Sequence, residues 1–383
     1  MTHHGQFGGA TLTVDLRAVR ANYRFLRSRL RVPALCSGVV KANAYGLGAS
    51  YVARALFAEG CRHFFVAHLD EGVALRPYLP RTAAIYILNG LPRGAARDCA
   101  ASGLVPVLNS LEQAEAWAAC AHQLKRSLPA VIQVDSGMNR LGLPAKDAAI
   151  LADTHARTGA FDLRYIMSHL ACADVPEHDA NAMQLAAFKR LAALFPEVPR
   201  SFANSSGIFL GPEYHFSLAR PGAALYGVNP NSAGANPMQG VVKLAARVIQ
   251  LRDVQPGDCS GYGWDYRAGS AMRLATLSIG YADGFHRAWG KNGAVFFEGL
   301  RLPVVGRVSM DSIVIDASAV APGRIGPDSE VEVIGDYQPV DDLAAAAGTI
   351  GYEVLTGLGS RYQRIYLGAE ENVPSALLED SLQ

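Results

Sequence analysis

Lys41 closes the short apolar segment Val39-Val40 and is followed by a loop that contains Tyr45, Gly46 and Gly48. A lysine at the end of a buried strand is partly withdrawn from water, and burial disfavours the ammonium form. The neutral amine is a nucleophile that condenses with aldehydes. The Tyr45 hydroxyl is expected at the same rim, where the glycines let backbone amides approach an anion. The segment predicts a reactive amine beside an anion site; the alternative is a solvated lysine.

Two arginines and a serine follow other apolar segments and extend this pattern. The fork of Arg140, in segment 134–142 (VDSGMNRLG), suits a carboxylate because it donates two parallel hydrogen bonds. Segments 203–207 (ANSSG) and 219–223 (ARPGA) combine small residues, the Ser205 hydroxyl and glycines. Such segments bind phosphate through backbone amides, although taken alone they are also ordinary turns.

His169 is a lone histidine after an apolar segment, in the sequence SHLACAD (168–174). Histidines in this position are more often structural than catalytic. No second histidine or carboxylate stands at metal-ligand spacing beside it, so we predict no metal site.

Eight strand candidates would carry these residues to one edge. One is the strand that ends at Lys41. Helical segments separate most of the other seven, which are 63–67, 84–88, 105–108, 130–134, 163–167, 201–203 and 223–226. Eight such strands predict a (β/α)8 TIM-type barrel with its active site after the strands. Residues 236–383 contain short Val- and Ile-rich runs broken by Gly, Pro and Asp, which predict a mainly-β domain. We assign the barrel to residues 1–235 and expect a first strand, about 10–14, to associate with the C-terminal domain. The last dozen residues are expected to be disordered.

Composition limits the possible functions. The 383 residues have a formal net charge of +1 and are 18% charged, which gives no electrostatic case for nucleic acid or an acidic membrane. Six scattered cysteines without a Cys-x-x-Cys pair are typical of reduced thiols. We find neither a signal peptide nor an apolar run that spans a bilayer, and we expect a cytoplasmic protein.

The segments VVKANAYGLG (39–48), VDSGMNRLG (134–142), ANSSG (203–207), SGYG (260–263), GYADG (280–284) and GRVSMD (306–311) occur in the order of the alanine racemase family, which this chain resembles. The resemblance implies that Lys41 forms a Schiff base with pyridoxal 5′-phosphate. It implies phosphate contacts from Tyr45, Ser205, Gly222, Ala223 and a late tyrosine. An ungapped comparison puts Ser360 at the place of that tyrosine, and we predict Tyr362, two residues further on. It also implies substrate contacts from Arg140 and Met310, with His169, Arg220 and Asp311 in support. Arg220 matches an arginine that contacts the pyridine nitrogen and restrains side reactions.

The resemblance also supplies a second base. An amine reaches only one face of a substrate carbon, so inversion requires another acid–base group on the opposite face. Tyr262 matches the family's second base, which reaches the site from the partner subunit of a homodimer. The implied function is interconversion of L- and D-alanine by two-base proton transfer at Cα of the external aldimine, for peptidoglycan synthesis or alanine breakdown. One departure is Gln133, where several members carry a carbamylated lysine; an amide of Gln133 or Asn139, or an anion, would have to brace Arg140 instead.

Three alternatives remain. A racemase of broader specificity, acting on serine or lysine, fits the same motifs. A non-catalytic pyridoxal-phosphate-binding protein resembles only the barrel and lacks the β domain. An amino-acid decarboxylase carries a glycine-run phosphate site and an acidic residue at the ring nitrogen, where this chain has Arg220.

Overall fold

The computed structural model describes residues 8–232 and 234–369, which form two compact units. The barrel unit comprises residues 19–240 and 351–356, and the C-terminal unit comprises residues 8–18, 241–350 and 357–369. The expected disorder of the last dozen residues concerns a segment outside the described residues.

The N-terminal part of the chain alternates strands and helices. Its strands are β1 (Ala10–Asp15), β2 (Leu35–Cys36), β3 (Gly38–Val39), β4 (His63–Val66), β5 (Ala84–Ile87), β6 (Val105–Leu108), β7 (Pro129–Gln133), β8 (Asp162–Met167), β9 (Arg200–Ser201) and β10 (Leu218–Ala219). Its helices are α1 (Leu16–Ser28), α2 (Lys41–Tyr45), α3 (Ala49–Ala58), α4 (Leu69–Leu75), α5 (Ala96–Ala101), α6 (Leu111–Leu124), α7 (Ala145–Thr158) and α8 (Ala180–Ala192).

Strands β3 to β9 form a parallel sheet in sequence order, and β10 pairs in parallel with β2. Strands β2 and β3 are two halves of one strand interrupted at Ser37, whose amide donates to the Ala219 carbonyl. The Arg220 amide donates to the Ala203 carbonyl at 2.8 Å, which joins β10 to the segment after β9 and closes the ring. The predicted α/β barrel is confirmed, and its candidate polar residues follow the strands.

The predicted eighth strand at 223–226 was wrong, because Leu218–Ala219 forms that strand instead. Ala223–Tyr226 forms a 3-10 turn between Gly222 and Gly227. The Leu225 amide bonds to the Gly222 carbonyl at 2.9 Å, and Gly227 ends the turn with φ 89°. Lys41 likewise begins α2 rather than ending a strand.

The C-terminal unit is mainly β, as predicted, and its strands pair antiparallel except for the parallel pair β1 and β19. Its further strands are β11 (Val242–Val254), β12 (Cys259–Ser260), β13 (Tyr266–Arg267), β14 (Met272–Leu277), β15 (Ala294–Phe297), β16 (Leu300–Val305), β17 (Ile313–Asp316), β18 (Glu330–Ile334) and β19 (Gln363–Leu367). Two helices, α9 (Trp289–Asn292) and α10 (Val340–Ala347), accompany them, whereas α11 (Gly351–Thr356) belongs to the barrel unit. The sheet order is β14-β17-β16-β15-β18-β11-β1-β19, and a β11–β14 pairing closes it. Within the described residues, no helix is long and apolar enough to span a membrane.

Candidate active site

Lys41 stands at the start of an uncommon backbone turn. The next four residues, Ala42, Asn43, Ala44 and Tyr45, have φ of 51°, 52°, 55° and 55°. This left-handed helical conformation brings Cβ close to the following carbonyl and costs about 1–2 kcal/mol per residue. The Gly46 amide bonds to the Ala42 carbonyl at 2.7 Å. Strain of this kind is concentrated at functional sites, and here it fixes Lys41 and Tyr45 at the two ends of one turn.

The Lys41 amine lies in surroundings that favour its neutral form. Burial lowers its pKa, the nearby Arg140 cation lowers it further, and Glu71 partly opposes both effects. A lowered pKa leaves more unprotonated amine near neutrality, which is the form that attacks a carbonyl and accepts a proton.

Arg220 is a buried cation whose partners are all uncharged. Its guanidinium donates to the Ser201 hydroxyl and the Ser168 carbonyl, both at 2.6 Å, and to His169 Nδ1 at 3.5 Å. Its exposed fraction is 4%, and desolvation lowers its pKa. A buried cation without a carboxylate partner is costly, so its presence here indicates a task such as binding an electron-rich acceptor.

His169 is neutral in this cluster. Burial, followed by the cations Arg220, Arg140 and Lys41, lowers its pKa to about 3. Because a guanidinium can only donate, Nδ1 accepts from Arg220 and the imidazole proton lies on Nε2. The backbone carbonyl of His169 accepts from Gln184 at 3.0 Å, which fixes the loop that carries the ring.

Four of the five predicted phosphate residues, Tyr45, Ser205, Gly222 and Ala223, belong to the barrel unit and follow its strands. Ser205 Oγ accepts from the Gly222 amide at 2.9 Å and from the Ala224 amide at 3.3 Å. A methyl group on Gly222 would overlap the Tyr45 hydroxyl, so only glycine fits there. Ala223 begins the 3-10 turn, whose first amides have no acceptor within the turn. Hydroxyls and helix-start amides around a glycine are a suitable donor set for phosphate.

Arg140 is held by the loop around it rather than by its side-chain contacts. Asp135 accepts from the amides of Gly137, Met138 and Asn139 at 2.9, 3.0 and 3.2 Å, which fixes residues 135–139. Within the described part of the chain, the Arg140 guanidinium makes no hydrogen bond or ion pair. Arg140 is exposed, so its guanidinium is available to a carboxylate ligand. Its charge lowers the pKa of both Lys41 and His169.

Tyr352 lies beside Tyr45, although the sequence analysis did not assign it to the site. It lies on α11, in the short segment that returns to the barrel unit, and its ring centroid lies 6.0 Å from that of Tyr45. Tyr362, the residue predicted for the phosphate, is buried in the C-terminal unit and donates its hydroxyl to the Asp283 carbonyl. The sequence GYE (351–353) is the local signal for this residue.

Tyr262 lies in the C-terminal unit with its side chain open to solvent. It is 71% exposed, between Gly261 with φ 79° and Gly263 with φ 70°. The glycines permit the tight turn that projects the phenol outward. An exposed phenol of this kind is available to another molecule.

Met310 and Asp311 lie in a second cluster of the C-terminal unit. The Ala282 amide donates to the Met310 carbonyl at 3.0 Å, and Met310 itself is 52% exposed. Arg361 donates to Asp311 at 2.7 Å and to Asp283 at 2.7 and 2.9 Å. Asp311 is therefore an ion-pair partner within this unit.

Two family matches cover nearly the whole chain. Residues 14–230 match the alanine racemase N-terminal domain, and residues 241–366 match the alanine racemase C-terminal domain. This chain belongs to the alanine racemase family. The predicted family and its class of enzyme, an isomerase, are thereby confirmed.

Individual alanine racemases are similar over almost their full length. The chain is 55% identical over 361 residues to a catabolic alanine racemase of Mesorhizobium japonicum, with 94% of each chain covered. It is 50% identical over 362 residues to a catabolic alanine racemase of Agrobacterium fabrum, covering 94% of this chain and 93% of that one. The crystal structure of alanine racemase from Bartonella henselae with covalently bound pyridoxal phosphate matches with a TM-score of 0.90 and 44% identity, covering 94% of this chain and 99% of that one.

Gln133 is the departure from the alanine racemase pattern noted above. It ends β7 and is buried, and its backbone carbonyl accepts from the Leu143 amide at 2.8 Å. A side chain on Gly142 would collide with the Val134 backbone, so the return of this loop requires glycine. The backbone around Arg140 is thus fixed by Asp135 and Gly142.

Proposed function

We propose that this protein interconverts L-alanine and D-alanine with pyridoxal 5′-phosphate attached to Lys41. The observation that carries the proposal is the position of Lys41, an amine of lowered pKa at the start of the turn whose other end, Tyr45, covers Gly222. The residues fit the cofactor on independent grounds: Gly222 leaves a cradle that a Cβ would fill, and Arg220 is a buried cation with uncharged partners.

The cofactor would be held at three points. Ser205, Gly222, Ala223 and Tyr45 would bind its phosphate, and Lys41 its aldehyde carbon. Arg220 would donate a hydrogen bond to the ring nitrogen of the cofactor, because a guanidinium has only donors and no acceptor. When bound, pyridoxal phosphate withdraws electrons from the α-carbon of an amino acid and so acidifies its hydrogen. His169 would pack at the ring and keep Arg220 oriented.

We assign Tyr352 rather than Tyr362 to the phosphate. Its support is the ring contact with Tyr45, whose hydroxyl covers Gly222. The Tyr362 hydroxyl is already engaged by the Asp283 carbonyl.

Two groups would move the proton. Lys41 would exchange the α-hydrogen of D-alanine, and Tyr262 of a second copy of the chain would exchange that of L-alanine from the opposite face. Arg140 would bind the substrate carboxylate through its free fork, and the Met310 backbone would contact the substrate. The exposure of Tyr262 supports a homodimer with shared sites. Asp311, paired with Arg361, would shape the approach to the site.

The physiological role we propose is alanine breakdown, because the relatives at 55% and 50% identity are named catabolic. Supply of D-alanine to peptidoglycan is the second role. We place the protein in the cytoplasm, which suits six free thiols.

A chiral assay of the purified protein with alanine, serine and lysine tests the activity. We expect racemisation of alanine with a kcat/KM at least about tenfold above the other two, since a pocket discriminates added substrate groups by about that factor or more. Comparable turnover of serine or lysine would establish the broader-specificity alternative. No turnover of any of the three in cofactor-loaded protein would refute the proposed function.

A further inference from the structure

The carboxylate of Glu71 joins two separate parts of the barrel rim. Glu71 lies in the first turn of α4, and its Oε2 accepts from the amides of Ala67 at 2.7 Å and His68 at 3.0 Å. Its Oε1 accepts from the amide of Ala42 at 2.6 Å. The first two bonds cap its own helix, whereas the third reaches the residue that directly follows Lys41.

The turn that begins at Ala42 needs such an anchor. Four consecutive residues adopt left-handed geometry although none of them is glycine. At the far end, the Gly48 amide bonds to the Asn43 carbonyl at 2.9 Å, and the Ala49 amide to Asn43 Oδ1 at 2.8 Å. At the near end, the hydrogen bond from the Ala42 amide to Glu71 attaches the turn to the connection between β4 and α4. Without a constraint, these residues would relax towards right-handed or extended geometry.

We propose that Glu71 is the positioning residue of Lys41, holding the left-handed turn 42–45 so that the Lys41 amine and the Tyr45 hydroxyl keep a fixed separation. The inference rests on the proposed role of Lys41 as the cofactor lysine. A charged acceptor suits this task, because hydrogen bonds to a carboxylate are stronger than those to a neutral oxygen. The alternative is that Glu71 only caps α4.

The variant Glu71→Gln separates the two roles. A glutamine at this helix position still forms a capping box with its single amide oxygen, but that oxygen cannot also serve Ala42. Asp70→Asn is the matched control, since Asp70 occupies the same helix turn and is exposed. We expect Asp70→Asn to leave activity unchanged.

Hydrogen exchange of the full chain, with and without cofactor, is the first measurement. In Glu71→Gln the amides of residues 42–46 should exchange at least about tenfold faster in both forms, while those of α4 remain protected. Unchanged exchange at 42–46, or equal loss over α4, would overturn the proposal in favour of capping. This readout requires no activity, so it holds or fails independently of the proposed function.

Rescue by glycine is the second measurement. We expect Glu71→Gln to lower kcat by roughly 10–100-fold, since small displacements of a reacting group have effects of that size. Adding Ala42→Gly should restore a large part of the loss, because glycine adopts φ near 51° without restraint. A loss of kcat that Ala42→Gly leaves unchanged would contradict a role in holding the turn.

Discussion

The guanidinium of Arg220 donates to Nδ1 of His169 across 3.5 Å, so this histidine is neutral beside a permanent cation. Burial and three cations lower its pKa to about 3, far below the ordinary value of 6.5. The pair thus places a neutral donor, Nε2–H, and a fixed positive charge together at the end of the barrel strands. Both features have consequences that can be measured.

Stability should depend on pH through His169. In the unfolded chain the imidazole gains a proton below about pH 6.5, whereas in the folded protein it stays neutral down to about pH 3. The contribution of neutral His169 to the free energy of unfolding is therefore fully present above pH 6.5. It is lost as the pH falls, and the free energy of unfolding then decreases by up to about 1.4 kcal/mol per pH unit. Chemical denaturation between pH 6.5 and 4.5 should show a smaller pH slope for His169→Asn than for the wild type. His122→Gln, at an exposed position, should keep the wild-type slope; equal slopes for all three proteins would contradict the account.

Removing Arg140 should change Lys41 even without substrate. Loss of that cation stabilises the ammonium form and raises the pKa of Lys41. In cofactor-free Arg140→Leu, an amine-labelling reagent should modify Lys41 more slowly at neutral pH, and the loaded variant should show a raised KM. Arg93→Leu, another exposed arginine, is the control. Faster labelling of Lys41 in Arg140→Leu would show that the arginine shields the amine instead.

Tyr352 and Tyr362 should differ in what their hydroxyls do. Tyr352→Phe should weaken cofactor affinity by about tenfold, the loss of one hydrogen bond to a charged group. Tyr362→Phe should instead lower the free energy of unfolding by about 1 kcal/mol, because the Asp283 carbonyl keeps its second donor, the Gly359 amide at 3.1 Å. Cofactor titration and denaturation of both variants measure this, and the reverse pattern would restore Tyr362 as the phosphate residue.

The proposed homodimer with shared sites predicts complementation. Lys41→Ala and Tyr262→Phe are each expected to be inactive, but in a mixed dimer one site carries both changes and the other neither. Random pairing at equal mixing makes about half the dimers mixed, so refolding together should recover roughly a quarter of wild-type activity. Mixed dimers confirmed by mass measurement that remain inactive would show that each subunit uses its own Tyr262.

Much of the barrel could be predicted because its strands are short apolar runs separated by helical segments. The run Ala-Ala-Leu-Tyr at 223–226 was misassigned, since four apolar residues fit a strand or a 3-10 turn equally well. The true strand, Leu218–Ala219, is too short to give a period. Its position became evident only from its pairing with β2.

The site was predicted less completely for a similar reason. Side chains that follow strands, such as Ser205 and Arg220, could be placed from the chain alone. The left-handed turn could not, because Ala42 and Ala44 carry no glycine signal and their conformation depends on tertiary bonds such as that to Glu71. The return of α11 to the barrel unit, which brings Tyr352 to Tyr45, is likewise a long-range contact without a local pattern.

The covalent attachment of the cofactor to Lys41 is the central claim, and chemical trapping tests it most directly. Reduction of the cofactor-loaded protein with borohydride fixes any imine as a stable amine. Peptide mass mapping should then locate one pyridoxyl group per chain on the peptide that contains Lys41, and none in Lys41→Ala treated in the same way. A pyridoxyl group on a different lysine, or a fully active protein from which no lysine can be trapped, would contradict the account.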